Sequence, residues 1–375
     1  MSLHLLRHDE ASGLSAASPA VRRPLHDWFA AMRPLPRRVL LAATTVFGFL
    51  AFILGVGNRF TRGPLFIYIP DVDLIPPLHT AAWEQAFVIH QQSPLFALCG
   101  GYQIGGMESL TVYQLLYMWE WLRAGSVFML AACCMLLGVM AVGKLSRAAS
   151  RAELLSIVGL AALGTGYLTM RYFADHAGLF ATINIGQHRH ALDVTFASLA
   201  LALLVAALAA PRQFRPPSFT GIAFAAFVAL DIGFGALFEA TDAAVVWTTF
   251  PGYTDGLLPA SDRLFAFTPV WRNLTENLYL IQACHRVLSM ALWGAALAWL
   301  VVAMVRRRGV GQPTVLLGLL TLEGALGVAA LLQGEPVVLS IAHQVGAIFV
   351  LAAALAPAMG PALAHASGFA PAPIR

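Results

Sequence analysis

Two histidines, His285 and His343, fall inside long apolar runs, in the stretches Gln282-Ala-Cys-His285-Arg286 and Ile341-Ala-His343-Gln344. An ionisable or metal-binding side chain is costly in a hydrocarbon interior, so its presence there is by default a statement about function. His285 lies about eight residues into its run and His343 about six into its own, which at ~1.5 Å per residue gives similar depths near the outer leaflet. Two chemistries suit such a pair. Each imidazole can hydrogen-bond across to a neighbouring helix, or the two, as neutral ligands from facing helices, can take both faces of one heme iron. Gly346 and Ala347 follow His343 by about one turn and leave room for a flat cofactor, while Arg286 could pair with a propionate carboxylate. Zinc suits the pair less, because no third or fourth ligand stands nearby in the sequence.

The elements that must position these groups are membrane helices. Hydrophobic residues make up 59% of the 375 residues and charged ones 11%, which argues against a soluble globule. Apolar runs long enough to cross a ~30 Å core occur eight times, at about 38–56, 112–142, 153–172, 189–210, 218–240, 277–304, 314–333 and 337–358. Basic clusters lie before the first run (Arg22, Arg23, Arg33, Arg37, Arg38) and after the second (Lys144, Arg147, Arg151), the fourth (Arg212, Arg215) and the sixth (Arg306, Arg307, Arg308). Eight spans put all of them on one side, which the positive-inside rule makes cytoplasmic together with both termini. The net charge of +4 therefore reads as topology, and no basic-aromatic patch points to nucleic acid. Residues 1–37 read as a cytoplasmic tail rather than a signal peptide, and 359–375 as a second tail. The four cysteines give no disulfide framework.

The loops divide the chain in two. Long outer loops, about 57–111 and 241–276, follow the first and fifth spans, and short ones follow the third and seventh. This predicts an all-α integral membrane protein of eight transmembrane helices arranged as two pseudo-symmetric four-helix bundles, an N-terminal half at 38–210 and a C-terminal half at 211–358. The second span carries Glu120-Trp-Leu-Arg123 where the sixth carries Gln282-Ala-Cys-His285, and the fourth carries Asp193 where the eighth carries His343. Polar positions thus recur in both halves, His with His in one, Arg with Asp in the other.

Several stretches resemble the heme A synthase family in its mitochondrial and alphaproteobacterial branch. They are Gly57-Asn-Arg59-Phe-Thr61; Leu74-Ile-Pro-Pro-Leu-His-Thr-Ala-Ala-Trp83-Glu84 with Gln92-Ser-Pro94; Trp119-Glu120-Trp121; Asp242, Thr249-Phe-Pro251, Trp271-Arg-Asn273 and Glu276-Asn277; and the two histidine stretches above. The resemblance covers about Gly55 to Ala356. It implies an integral membrane enzyme that oxidises a methyl group of heme O to the formyl group of heme A. It further implies a heme b cofactor on His285 and His343, and a role in the oxidation for Glu120. The family's histidine pair in the N-terminal half does not carry over, since Arg123 and Asp193 stand there.

Arginine stays protonated and cannot serve as a neutral ligand, so an Arg123–Asp193 ion pair is expected in place of iron ligation. His188 and His190 could instead supply a displaced ligand, or simply lie at the interface where their helix begins. Asp231 and Glu323 are further intramembrane acids to which the sequence assigns no role. The second outer loop lacks cysteine, so reducing equivalents would arrive through the heme b or an electron donor. Heme O as substrate, heme O synthase and the lipid bilayer are the implied partners, and a homo-oligomer stays open. A bacterial inner membrane is favoured over the mitochondrial one. The competing reading is a membrane b-heme protein repurposed for electron transfer, heme handling or oxidase assembly, which the altered N-terminal half favours. A transporter built from the two halves is a third.

Overall fold

The computed structural model describes residues 37–62, 73–92, 109–144, 185–209, 218–253, 256 and 259–356. Every long element among them is helical: α1 (Arg37–Arg62), α2 (Thr80–Gln91), α3 (Leu110–Lys144), α4 (Ile185–Ala209), α5 (Phe219–Ala240), α6 (Leu278–Val305), α7 (Gly311–Leu332) and α8 (Val337–Leu355). All except α2 are long and apolar enough to cross a membrane, giving seven candidate spans among the described residues. The expected span at 153–172 lies outside them, as do most of both expected tails.

Helices are forced by the solvent. In hydrocarbon each backbone N–H and C=O must be satisfied within its own segment, and the few polar side chains follow the same rule. Thr44 and Thr45 each donate back to the carbonyl four residues earlier, Leu40 and Leu41, at 2.8 Å. The helix ends are capped by short polar residues. Ser218 Oγ accepts from the Gly221 N–H at 3.1 Å at the start of α5, and Asn277 Oδ1 accepts from the Tyr279 N–H at 3.0 Å at the start of α6.

Helices α5 to α8 close into a ring: α5 packs on α6, α6 on α7, α7 on α8, and α8 back on α5. Helix α4 lies against α5 and α8. The shared core joins Leu201 and Leu204 of α4, Phe224 and Val228 of α5, Leu292 and Ala296 of α6, Leu316 and Leu320 of α7, and Ile348 and Leu351 of α8. Helix α1 joins this core through Phe52 and Val56, and its Phe49 ring stacks on Phe349 at 5.6 Å. Helix α3 meets α1 through Cys133 and Leu137 against Leu40, and Trp119 Nε1 donates to the Leu54 carbonyl at 3.0 Å. Large apolar side chains such as Leu115, Phe128 and Val305 stay exposed on the outside, as a lipid-facing surface requires.

The loop between α5 and α6 is held by its own amides. Asn273 Nδ2 donates to the Phe267 and Val270 carbonyls at 2.8 and 2.9 Å, and its Oδ1 accepts from the Phe267 N–H at 2.9 Å. Asn277 Nδ2 donates to the Arg263 and Leu264 carbonyls at 2.8 and 3.1 Å. These loop residues are scaffold for the segment that leads into α6.

Candidate functional site: the paired histidines and their carboxylates

His285 projects from α6 and His343 from α8, with ring centroids 6.2 Å apart and ring planes inclined by 71°. Two imidazoles bound to one metal through nitrogen at about 2 Å, each ring centre lying about 1.1 Å beyond, would have centroids about 6 Å apart. The centroid separation would therefore allow both rings to reach one metal ion. Among the described residues no three metal-binding side chains converge. A donor set of two imidazoles would suit a heme, since the macrocycle brings its own four nitrogens.

Each imidazole is tied from behind by an acid on the preceding helix. His285 Nδ1 lies 2.8 Å from Asp231 Oδ1 on α5, and Ser289 Oγ donates to the other oxygen, Oδ2, at 2.8 Å. His343 Nδ1 lies 3.0 Å from Glu323 Oε1 on α7 and 3.1 Å from the Glu323 carbonyl. With acceptors on this side, a hydrogen carried on Nδ1 would leave the Nε2 lone pair for a metal. Four residues after each acid comes a glycine against the same ring. A methyl group on Gly235 would sit 3.2 Å from His285 Cε1, and one on Gly327 only 2.6 Å from His343 Cε1. Residues four apart share a helix face, so one turn supplies both the anchor and the space.

Arg286 is buried against the loop between α5 and α6. Its Nη2 donates to the Trp247 carbonyl at 3.0 Å, its Nη1 donates to the Gly252 carbonyl at 3.2 Å, and the guanidinium lies 4.9 Å from the Tyr253 ring centre. Gln282 Nε2 donates to the same Trp247 carbonyl at 2.9 Å. Expected as a propionate partner, Arg286 ties α6 to the loop carbonyls of Trp247 and Gly252. Burial pushes the Tyr253 phenol up from its ordinary value, against the pull of the Arg286 guanidinium. Near the C-terminal end of α5, Glu239 accepts from Gln344 Nε2 at 3.0 Å and lies 3.1 Å from His190 Nε2, so it joins α4, α5 and α8. His190 is therefore engaged across the helix interface. In the turn before α8, burial together with Glu239 and Asp242 pushes the Glu335 carboxyl up to about 7.

On α3, Glu120 is buried with 3% of its surface exposed. Arg123, one turn later, closes a fork on it: Nε donates to Oε1 and Oε2 at 3.1 and 3.0 Å, and Nη2 forms a further short contact to Oε1. Glu120 is thus the carboxylate of a charge-assisted pair. Asp193 and His188 are half-buried on α4. Sequence reasoning left Asp231 and Glu323 without a role and did not single out Ser289, Gly235 or Gly327. The available signal was an acid followed four residues on by glycine, at 231–235 and again at 323–327.

Residues 71–355 match the model of a family described as cytochrome oxidase assembly protein. Curated relatives include proteins named heme A synthase. That of Rhodopseudomonas palustris is 30% identical over 338 residues, covering 86% of this chain and 90% of that protein. The protein of Sinorhizobium fredii is 30% identical over 338 residues, with 86% of each chain covered. That of Methylobacterium sp. is 30% identical over 367 residues, covering 92% of this chain and 97% of the relative.

Proposed function

We propose, from the premise that this chain belongs to the cytochrome oxidase assembly protein family, that it is a heme A synthase of terminal oxidase biogenesis. As a membrane oxidoreductase it converts a methyl group of heme O to the formyl group of heme A. The observation that carries the reading is the His285–His343 pair, 6.2 Å apart, with both Nδ1 atoms turned to carboxylates. On this reading the two Nε2 atoms hold a resident heme b, which when bound supplies one-electron relay. The chain's own residues orient and enclose it. Asp231 and Glu323 fix the imidazoles, Gly235 and Gly327 let them lie against the helix backbones, and Arg286 with Gln282 ties the loop at Trp247 to α6. Arg286 also brings a guanidinium for a propionate.

On the substrate side Glu120 is the candidate catalytic group. Both of its oxygens are engaged by Arg123, so a shift of the guanidinium would expose them to a substrate. Arg123 and Asp193 are read as an altered substrate site, linked by an ion pair that substitutes for two histidine ligands. The architecture that accommodates this has eight spans, with 153–172 as the third, in two related four-helix halves at 38–210 and 211–358. Both termini are cytoplasmic in a bacterial inner membrane. The basic clusters, which all fall on one side under that count, support this arrangement.

One observation favours a second reading, a b-heme protein without turnover: the acid assigned to the oxidation is already clasped by Arg123. Co-expression with heme O synthase, followed by heme extraction, separates the two. Heme A in the extract supports the enzyme. Heme b alone, with heme O available, supports the second reading, and protein without any heme removes both.

A further inference from the structure

Between Asp73 and Glu84 the chain carries no Asp, Glu, Lys or Arg, and the stretch opens Leu74-Ile-Pro-Pro-Leu78. Leu74, Ile75 and Leu78 expose 91%, 67% and 82% of their surface. One exposed leucine needs no explanation, but three large apolar side chains within five residues form a patch that asks for a partner. The segment is tied to α3 at a definite height. The Asp73 N–H donates to Tyr117 Oη at 2.8 Å, and Trp121 Nε1 donates to the Leu74 carbonyl at 3.1 Å. Two residues before Trp121, Trp119 donates to the Leu54 carbonyl of α1, close to where the apolar stretch of that helix ends at Val56. At ~1.5 Å per residue, Trp121 lies only about 3 Å further along α3 from that level. Leu74 therefore stands at the edge of the hydrocarbon layer, on the side of the membrane that the C-terminal end of α1 reaches.

The patch also lies on the lipid side of α3. Helix α1 meets α3 at Trp119, Cys133 and Leu137, roughly half a turn around the helix from Trp121. On the Trp121 side the residue two turns on is Phe128, already part of the exposed apolar surface. The patch thus continues a lipid-facing stripe. Its backbone suits the place, because irregular chain at the hydrocarbon edge must leave few polar groups unpaired. Pro76 and Pro77 have no N–H, the Asp73 N–H and Leu74 carbonyl are bonded to α3, and the His79 carbonyl accepts from the Ala82 and Trp83 N–H groups. Helix α2 then packs Trp83 and Phe87 on Tyr113 and Tyr117, which places a band of aromatic rings at the level where such rings favour the membrane interface. We infer that Leu74, Ile75 and Leu78 are a lipid anchor, seated among phospholipid chains just below the headgroups. The anchor holds α2 at the membrane surface beside the end of α3 that carries Glu120.

The test places single spin labels on the full-length chain in phosphatidylcholine vesicles. Leu74→Cys and Leu78→Cys, with Glu84→Cys as the water-facing reference on α2, are made after the four native cysteines have been replaced by alanine. Collision of each label with oxygen, which concentrates in lipid, is compared with collision with a water-soluble nickel chelate. Labels at 74 and 78 should favour oxygen, and the label at 84 should favour the chelate. Labels at 74 and 78 that meet the chelate as freely as the one at 84 would overturn the inference. Labels shielded from both reagents would overturn it too, since that is the signature of a protein partner or a second copy on the patch. If the cysteine-free chain does not fold, the wild-type chain decides in vesicles that contain a phosphatidylcholine with a photoreactive diazirine high on its acyl chain. Cross-links on residues 74–78, located by mass spectrometry, support the anchor, and cross-links confined to the membrane-spanning helices overturn it.

Discussion

Replacing Gly327 by alanine probes the site with a single methyl group. That methyl would lie 2.6 Å from Cε1, 2.9 Å from Nδ1 and 3.1 Å from Nε2 of His343, closer than carbon packs on carbon or nitrogen. The ring cannot simply swing away, because its Nδ1 is held at 3.0 Å by Glu323 Oε1. Either the hydrogen bond or the position of Nε2 must give. Overpacking a tight site costs about 1–3 kcal/mol, which corresponds to about 5- to 150-fold in an equilibrium constant. At Gly235 the corresponding distances to His285 are 3.2, 3.6 and 3.7 Å, so a methyl there needs a shift of only a few tenths of an ångström. Gly327→Ala should therefore weaken heme retention by a factor within that range, and Gly235→Ala by distinctly less. Heme transfer from the purified protein to excess apomyoglobin measures the difference directly. Equal retention in Gly327→Ala and wild type, or a larger loss in Gly235→Ala, would refute the reasoning.

Four other outcomes follow from neighbouring parts of the structure. Removing Arg123 as alanine takes the guanidinium from buried Glu120 and should cost about 3–5 kcal/mol, with Glu120→Gln in the same chain recovering part of it; detergent thermal unfolding reports both. If Arg123 also faces Asp193, a double-mutant cycle between them will show coupling of about 0.5–3 kcal/mol, and additivity would exclude the pair. Glu335 gives a pH dependence. Its folded-state carboxyl titrates at about 7 against an ordinary value of 4.5, so between these values the folded chain binds more protons than the unfolded one. Stability from this group is therefore full below 4.5, falls as pH rises toward about 7, and levels above it; Glu335→Gln should flatten that part of the profile. Arg286→Lys keeps the charge but loses the fork to Trp247 and Gly252, and should open the outer loop to protease at unchanged heme content or loosen both together.

Much of the frame was legible because the bilayer allows so few solutions. The expected spans at 38–56 and 218–240 coincide with Arg38–Val56 and Phe219–Ala240, and the other described spans agree to within a few residues. Helix α2 was not foreseen. It lies in a polar outer loop without a clean apolar period, and its start depends on His79 accepting from the Ala82 N–H at 3.1 Å, a cap that composition does not announce. The histidines were visible from depth alone, whereas the tasks of Asp231 and Glu323 were not. Which neighbour an intramembrane acid faces depends on helix rotation and packing, and a spacing of four residues leaves that open. Arg286 shows the same limit. Its sequence position beside His285 suggested a cofactor partner, but its rotamer is decided by two loop carbonyls far along the chain.

The central claim is that His285 and His343 together hold one heme, and the absorption and EPR spectra of the purified wild-type protein beside His285→Ala and His343→Ala test it most directly. The structure predicts a low-spin, bis-imidazole heme in the wild type that is lost, or converted to high spin, when either histidine is removed. The same low-spin heme persisting in both variants would contradict it.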